Sequence, residues 1–93
     1  MPHFLIQGWD KPNSQDLRAA TRPEHLRHVN SGQVKVVIAG PMLTDDGQPI
    51  GSMLVVEAES RAEVEAFANA DPYAKAGLFG RIDILVWRQV IPA

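Results

Sequence analysis

The sequence predicts an α+β fold of order β-α-β-β-α-β. This is the ferredoxin-like arrangement, a four-stranded antiparallel sheet with both helices on one face. Three observations predict it. Four short runs rich in apolar and β-branched residues are bounded by turn clusters. Two of the gaps between them carry helical spacing and are long enough to cross over the sheet. The remaining gap, residues 45–49, is a polar loop of hairpin length, so the middle two runs pair directly.

The elements follow in order. Residues 3–9 form a short apolar and aromatic run, read as a strand. Asp10-Lys11-Pro12-Asn13-Ser14 is a turn cluster. Helical patterning then runs from Ser14 to about Ser31, with Gly32 as a stop. Pro23 sits inside it, cannot donate to the preceding turn, and is predicted to break the helix. Thr21 and Glu24, at capping-box spacing, place a restart near Pro23. Residues 33–39, with Val34, Val36, Val37 and Ile38, form a strand predicted to end at Gly40-Pro41. Residues 50–58 form the third strand. Ser60 with Glu63 opens a second helix through about Ala70, with Val64, Phe67 and Ala68 on one face. Asp71-Pro72 ends it. A short turn or helical piece spans residues 72–78, and residues 81–91 read as a long final strand.

Composition narrows the function. A chain of 93 residues suits one domain over residues 1–93. Lys+Arg (9) nearly balance Asp+Glu (11) and the basic residues are scattered, which argues against a nucleic-acid partner. Without cysteine there is no disulfide framework, thiolate zinc site or thiol nucleophile. Met1-Pro2-His3-Phe4 has no signal-peptide pattern, and no apolar run approaches the ~20 residues of a membrane span. The expectation is a cytoplasmic protein without membrane contact.

The strands are apolar on both faces. In the third, Met53 and Val55 oppose Leu54 and Val56; in the last, Ile82, Ile84 and Val86 oppose Leu85 and Trp87. Two helices cover only one face, and soluble monomers rarely expose the other. A homodimer packed sheet to sheet is therefore expected.

Three clusters stand out: Arg22-Pro23-Glu24-His25-Leu26, Ala39-Gly40-Pro41, and Asp71-Pro72-Tyr73 with Ala76-Gly77-Leu78. Each has a plain structural reading as a helix start, a strand stop or a helix stop. Together, in order and at element boundaries, they resemble the YCII-related (YciI-like) family of the dimeric α+β barrel superfamily, over nearly the whole chain. The matching motifs are R-P-x-H-L at Arg22, Pro23, His25 and Leu26; A-G-P at Ala39, Gly40 and Pro41; and D-P-Y-x-x-A-G at Asp71, Pro72, Tyr73, Ala76 and Gly77. Gly51-Ser52 matches a Gly-Ser that members tend to carry early in the third strand. The loop over residues 43–49 is shorter than in some members, which leaves the substrate open.

The resemblance implies a His–Asp site pair in a pocket, here His25 and Asp71. It also implies cofactor-free lyase or isomerase chemistry on a small molecule, since elimination of the dehydrohalogenation type is ascribed to a relative. The residue types suit that work. Histidine exchanges a proton near neutrality, and a carboxylate on one ring nitrogen fixes the tautomer and leaves the other for the substrate. Arg22 suits an anionic group, and the backbone at Gly40 and Pro41 permits close approach. Ser52 and Tyr73 complete the expected substrate-binding set.

Other features weigh less. His28 lies one turn beyond His25, a metal-pair spacing that would need Asp71 or His3 as a third ligand; an exposed polar role outweighs it, and no metal is expected. His3 opens a strand. Trp9 and Trp87 read as dimer-face or pocket-wall packing. No Gly-rich phosphate loop is present, and no cofactor is expected. The alternative to an enzyme is a non-catalytic module that binds or senses a small metabolite.

Overall fold

The computed structural model describes residues 1–93. Alternating apolar residues give β1 (His3–Asp10), whose Phe4 and Ile6 are buried. Then come α1 (Gln15–Val29), β2 (Lys35–Leu43), β3 (Pro49–Glu57), α2 (Arg61–Ala70), a one-turn α3 (Pro72–Lys75) and β4 (Phe79–Trp87). The four strands form one antiparallel sheet in the order β2-β3-β1-β4. The helices cover one face, as the ferredoxin-like order requires.

Register fixes what each face carries. Phe4 pairs with Val56 and Ile6 with Leu54. These four side chains meet Val34, Ala58 and the α2 stripe Val64, Phe67 and Ala68 in one buried cluster. On the other face the apolar row Ile38–Val55–Leu5–Leu85 crosses all four strands in register. Its inner members are sheltered by neighbouring strands, whereas Ile38 and Leu85 are 54% and 52% exposed.

α2 opens as its sequence predicts. Ser60 Oγ accepts from the Glu63 amide at 3.4 Å, and the Glu63 carboxylate accepts from the Glu59 amide at 3.4 Å. Asp71 closes α2 and opens α3, with Pro72 in the first turn of the latter.

Three expectations are corrected. Pro23 does not start a new helix: α1 runs unbroken through it, and Thr21 and Glu24 lie mid-helix. The helix is tied down on both sides of the proline, through Arg18 and His25, and these tertiary bonds outweigh one missing backbone bond at an exposed position. Gly40-Pro41 does not end the second strand, which continues to Leu43. β2 is an edge strand, where a proline's missing N–H interrupts no ladder. The last strand is Phe79–Trp87 rather than residues 81–91. Its partner β1 runs out where His3 faces Trp87, so the chain beyond has nothing to pair with.

Candidate functional site

α1 sits on the sheet without an apolar stripe. Its buried side chains are Arg18 and His25. A charged or polar group enters a protein interior only where partners meet it, and both have partners.

His25 Nδ1 lies 2.9 and 3.0 Å from the two carboxylate oxygens of Asp71 and donates to them. The pair is buried, at 8% and 5% exposure. Asp71 Oδ1 also accepts from the Tyr73 amide at 2.9 Å, the N-terminal cap of α3, so the carboxylate is held before it meets the histidine. With Nδ1 carrying the proton, Nε2 is left as a base. No buried side-chain nitrogen or oxygen lacks a partner, and Nε2 has none in the protein, so this atom opens to solvent on the cleft side. The imidazole stacks on the Tyr73 ring, centroids 4.0 Å apart and planes 16° off parallel.

Two turns earlier on the same helix face stands Arg18. It makes a bidentate pair with Asp10, at 2.7 and 2.9 Å, and donates to Ser52 Oγ at 2.8 Å. Its guanidinium carbon lies 4.6 Å from the Tyr73 ring centroid. His25 covers one face of that ring, which leaves the other for Arg18, so Tyr73 stands between the two. Burial pulls the Arg18 pKa down, and Asp10, with a smaller contribution from Tyr73, more than restores it, leaving it raised. Burial raises the Tyr73 pKa, with Arg18 and Arg22 pulling against it, so the phenol keeps its proton at neutral pH and serves as a donor.

Behind Tyr73 lies Phe79, edge to face at 5.9 Å. Phe79 lies against Gly8, where a Cβ would come within 2.8 Å of the ring.

Arg18, His25, Ser52 and Tyr73 line a cleft of about 550 Å³ between α1 and the β2–β3 hairpin. The cleft brings together Arg22, His25, Gly40, Pro41, Ser52 and Tyr73, all expected from sequence. Asp71 stands behind His25 rather than in the wall. Arg18 and Asp10 were missed. The signal was present, since residues 18, 22 and 25 recur at helical spacing and form a polar stripe where an apolar one belongs. His28 is turned elsewhere: its Nε2 donates to the Phe67 carbonyl at 2.8 Å and its ring stacks on Phe67, which assigns it to the α1–α2 contact. His3 pairs with Glu57 at 3.2 Å and packs against Trp87. No helix is long and apolar enough to cross a membrane.

The YCII-related domain profile matches residues 3–88. The chain belongs to that family. Protein YciI of Escherichia coli is 30% identical over 95 residues, covering 94% of this chain and 97% of that one. A structure of 5-chloro-2-hydroxyhydroquinone dehydrochlorinase from Burkholderia phenoliruptrix, in complex with 2,5-dihydroxybenzoquinone, superposes on this YCII-related chain with a TM-score of 0.86. It is 36% identical, with 95% of each chain covered. The derivative of benzaldehyde biosynthesis cluster protein C of Emericella nidulans is 36% identical over 78 residues, 70% of this chain and 78% of that protein.

Proposed function

We propose that this YCII-related protein is a small-molecule enzyme that works by general acid–base catalysis. The substrate is a small oxygenated ring, and the reaction an elimination or isomerisation. The observation that carries this reading is the buried His25, with Nδ1 held by Asp71 and Nε2 open to the cleft. In an elimination, Nε2 takes a proton from a ring hydroxyl or ring carbon. The electron pair released forms the new double bond, and the leaving group departs with its own bonding pair. The step is redox-neutral, so proton transfer alone can drive it. Asp71 keeps the imidazole in the productive tautomer and stabilises the imidazolium that forms. The Tyr73 phenol and the Ser52 hydroxyl supply donors to substrate oxygens. Likeness to a dehydrochlorinase over 95% of both chains supports the reaction class.

The test is product formation from a panel of chlorinated and hydroxylated hydroquinones, with wild type and His25→Gln side by side. Loss of about 10²-fold or more in the variant is expected. Substrate loss that is indifferent to His25 would overturn the reading. Binding without turnover in the wild type would favour a metabolite-binding module instead.

The working unit in this proposal is a homodimer closed through the open sheet face. The support is the Ile38–Val55–Leu5–Leu85 row, with its exposed ends. Light scattering at micromolar concentration should give twice the chain mass, and Leu85→Asp should return it to one chain. A wild-type monomer would refute the dimer.

A further inference from the structure

The charges in the cleft are unequally satisfied. Arg18, Arg27, Arg61 and Arg81 each have a carboxylate partner within the protein. Arg22 lines the cleft and has none. It stands three residues before His25 on α1, about 4.5 Å along the helix axis and on the same face. Asp16 also lines the cleft but lies six residues from Arg22, about 9 Å along the axis, towards the start of α1. Arg18 adds no net charge, since Asp10 neutralises it. The opposite wall, Ala39, Gly40, Pro41, Gln48 and Pro49, carries no charge at all. At the level of His25, then, the cleft presents one free cation beside a neutral donor, the Tyr73 phenol, with the Ser52 hydroxyl further along at Arg18.

We infer that the substrate binds as an anion, a planar ring bearing an ionised oxygen, and that Arg22 is the residue that selects it. This rests on the acid–base reading of the same cleft and adds the charge state of what enters. An ionised ring oxygen beside Arg22 places the ring next to His25 Nε2, one turn along the helix. The far wall suits a flat molecule, since Ala39 and Gly40 project nothing longer than a methyl group and Pro41 only its ring. The Arg22 charge also reaches the Tyr73 hydroxyl, whose proton it loosens against the effect of burial. An oxyanion in the same place would meet that positive potential.

Calorimetric titration with two probes of the same ring tests this: 2,5-dihydroxybenzoquinone, which ionises, and its dimethyl ether, which does not. Wild type should bind the ionised probe about ten- to a hundred-fold more tightly than the ether. Arg22→Met should lose that preference and leave affinity for the ether unchanged, while Arg22→Lys should keep part of it. Arg22 is exposed, so both variants should retain the wild-type circular dichroism spectrum. Equal affinity for the two probes, no binding of the ionised probe to wild type, or an undiminished preference in Arg22→Met would each overturn the inference. Arg22-dependent anion binding without His25-dependent turnover would uphold this inference and defeat the acid–base one. His25-dependent turnover that Arg22→Met leaves intact would do the reverse.

Discussion

α1 and α2 lie on the same face of the sheet and are held there by opposite means. α2 buries Val64, Phe67 and Ala68 against Phe4, Ile6, Leu54 and Val56, and its capping box closes its first turn. That is hydrophobic docking of the ordinary kind. α1 buries an arginine and a histidine bonded to Asp10, Ser52 and Asp71, and only its C-terminal end, through His28 on Phe67 and the partly buried Val29, reaches the apolar cluster. Polar contacts of this kind need fixed geometry and good partners, but they do not draw a whole helix face onto the sheet. The cleft lies where α1 makes no apolar seam with the hairpin of β2 and β3. The apolar-packed side of the layer and the cleft side are therefore assigned to different helices.

The contrast can be broken first in α2. Phe67→Ala removes a fully buried ring and should cost about 3–5 kcal/mol in urea unfolding. Arg18→Met should cost about 3 kcal/mol, because it strands the buried Asp10 carboxylate and the Ser52 hydroxyl. Adding Asp10→Asn should recover part of the loss, since the stranded charge is then gone. If Arg18→Met costs no more than the ~0.5 kcal/mol usual for a surface change, α1 is not held as described.

Asp71→Asn should cost less, about 1–2 kcal/mol, because the amide oxygen can still cap α3 while the charge-assisted bond to His25 is lost. Turnover should fall far more than stability. A variant that is fully active would remove Asp71 from the site.

The smallest effect is a titration. Tyr73 is the only tyrosine, so the ultraviolet phenolate signal reports it alone. Its midpoint should lie above the ordinary 10.0, because burial favours the neutral phenol. The folded chain then holds this proton more firmly than the unfolded one. Its contribution to stability is complete below pH 10.0 and is lost as the pH rises through the higher folded value. In Arg18→Met the midpoint should move further up, since a charge that loosens the proton has been withdrawn. A wild-type midpoint at or below 10.0 would contradict the description of the ring as desolvated.

The same contrast explains what the sequence disclosed. Strand runs and the α2 stripe are legible because burial of apolar groups leaves a periodic trace, as in Val64, Phe67 and Ala68. The meeting of His25 with Asp71 was expected from the family resemblance, and a fold that puts both helices on one side of the sheet allows it. The bond between Arg18 and Asp10 was not, although both residues are in plain view. A charged residue on a helix reads as solvated unless its partner is known, and Asp10 sits in what looks like a turn cluster. Pro23 and Pro41 misled for a related reason. Each removes one local hydrogen bond, and local rules stop the element there. Tertiary ties through Arg18 and His25 carry α1 past the first, and the edge position of β2 makes the second harmless.

Gly8 shows that the cleft depends on a residue outside its wall, the register partner of Ser52. The residue carries no functional group, and its strand faces the core. Yet it is the empty seat into which Phe79 settles, and Phe79 backs the ring on which His25 rests. A single methyl group at position 8 would come within 2.8 Å of the Phe79 ring and force it to shift, and Phe79 is the ring that Tyr73 packs against. Strand β1 thus works as the datum surface from which the site is measured.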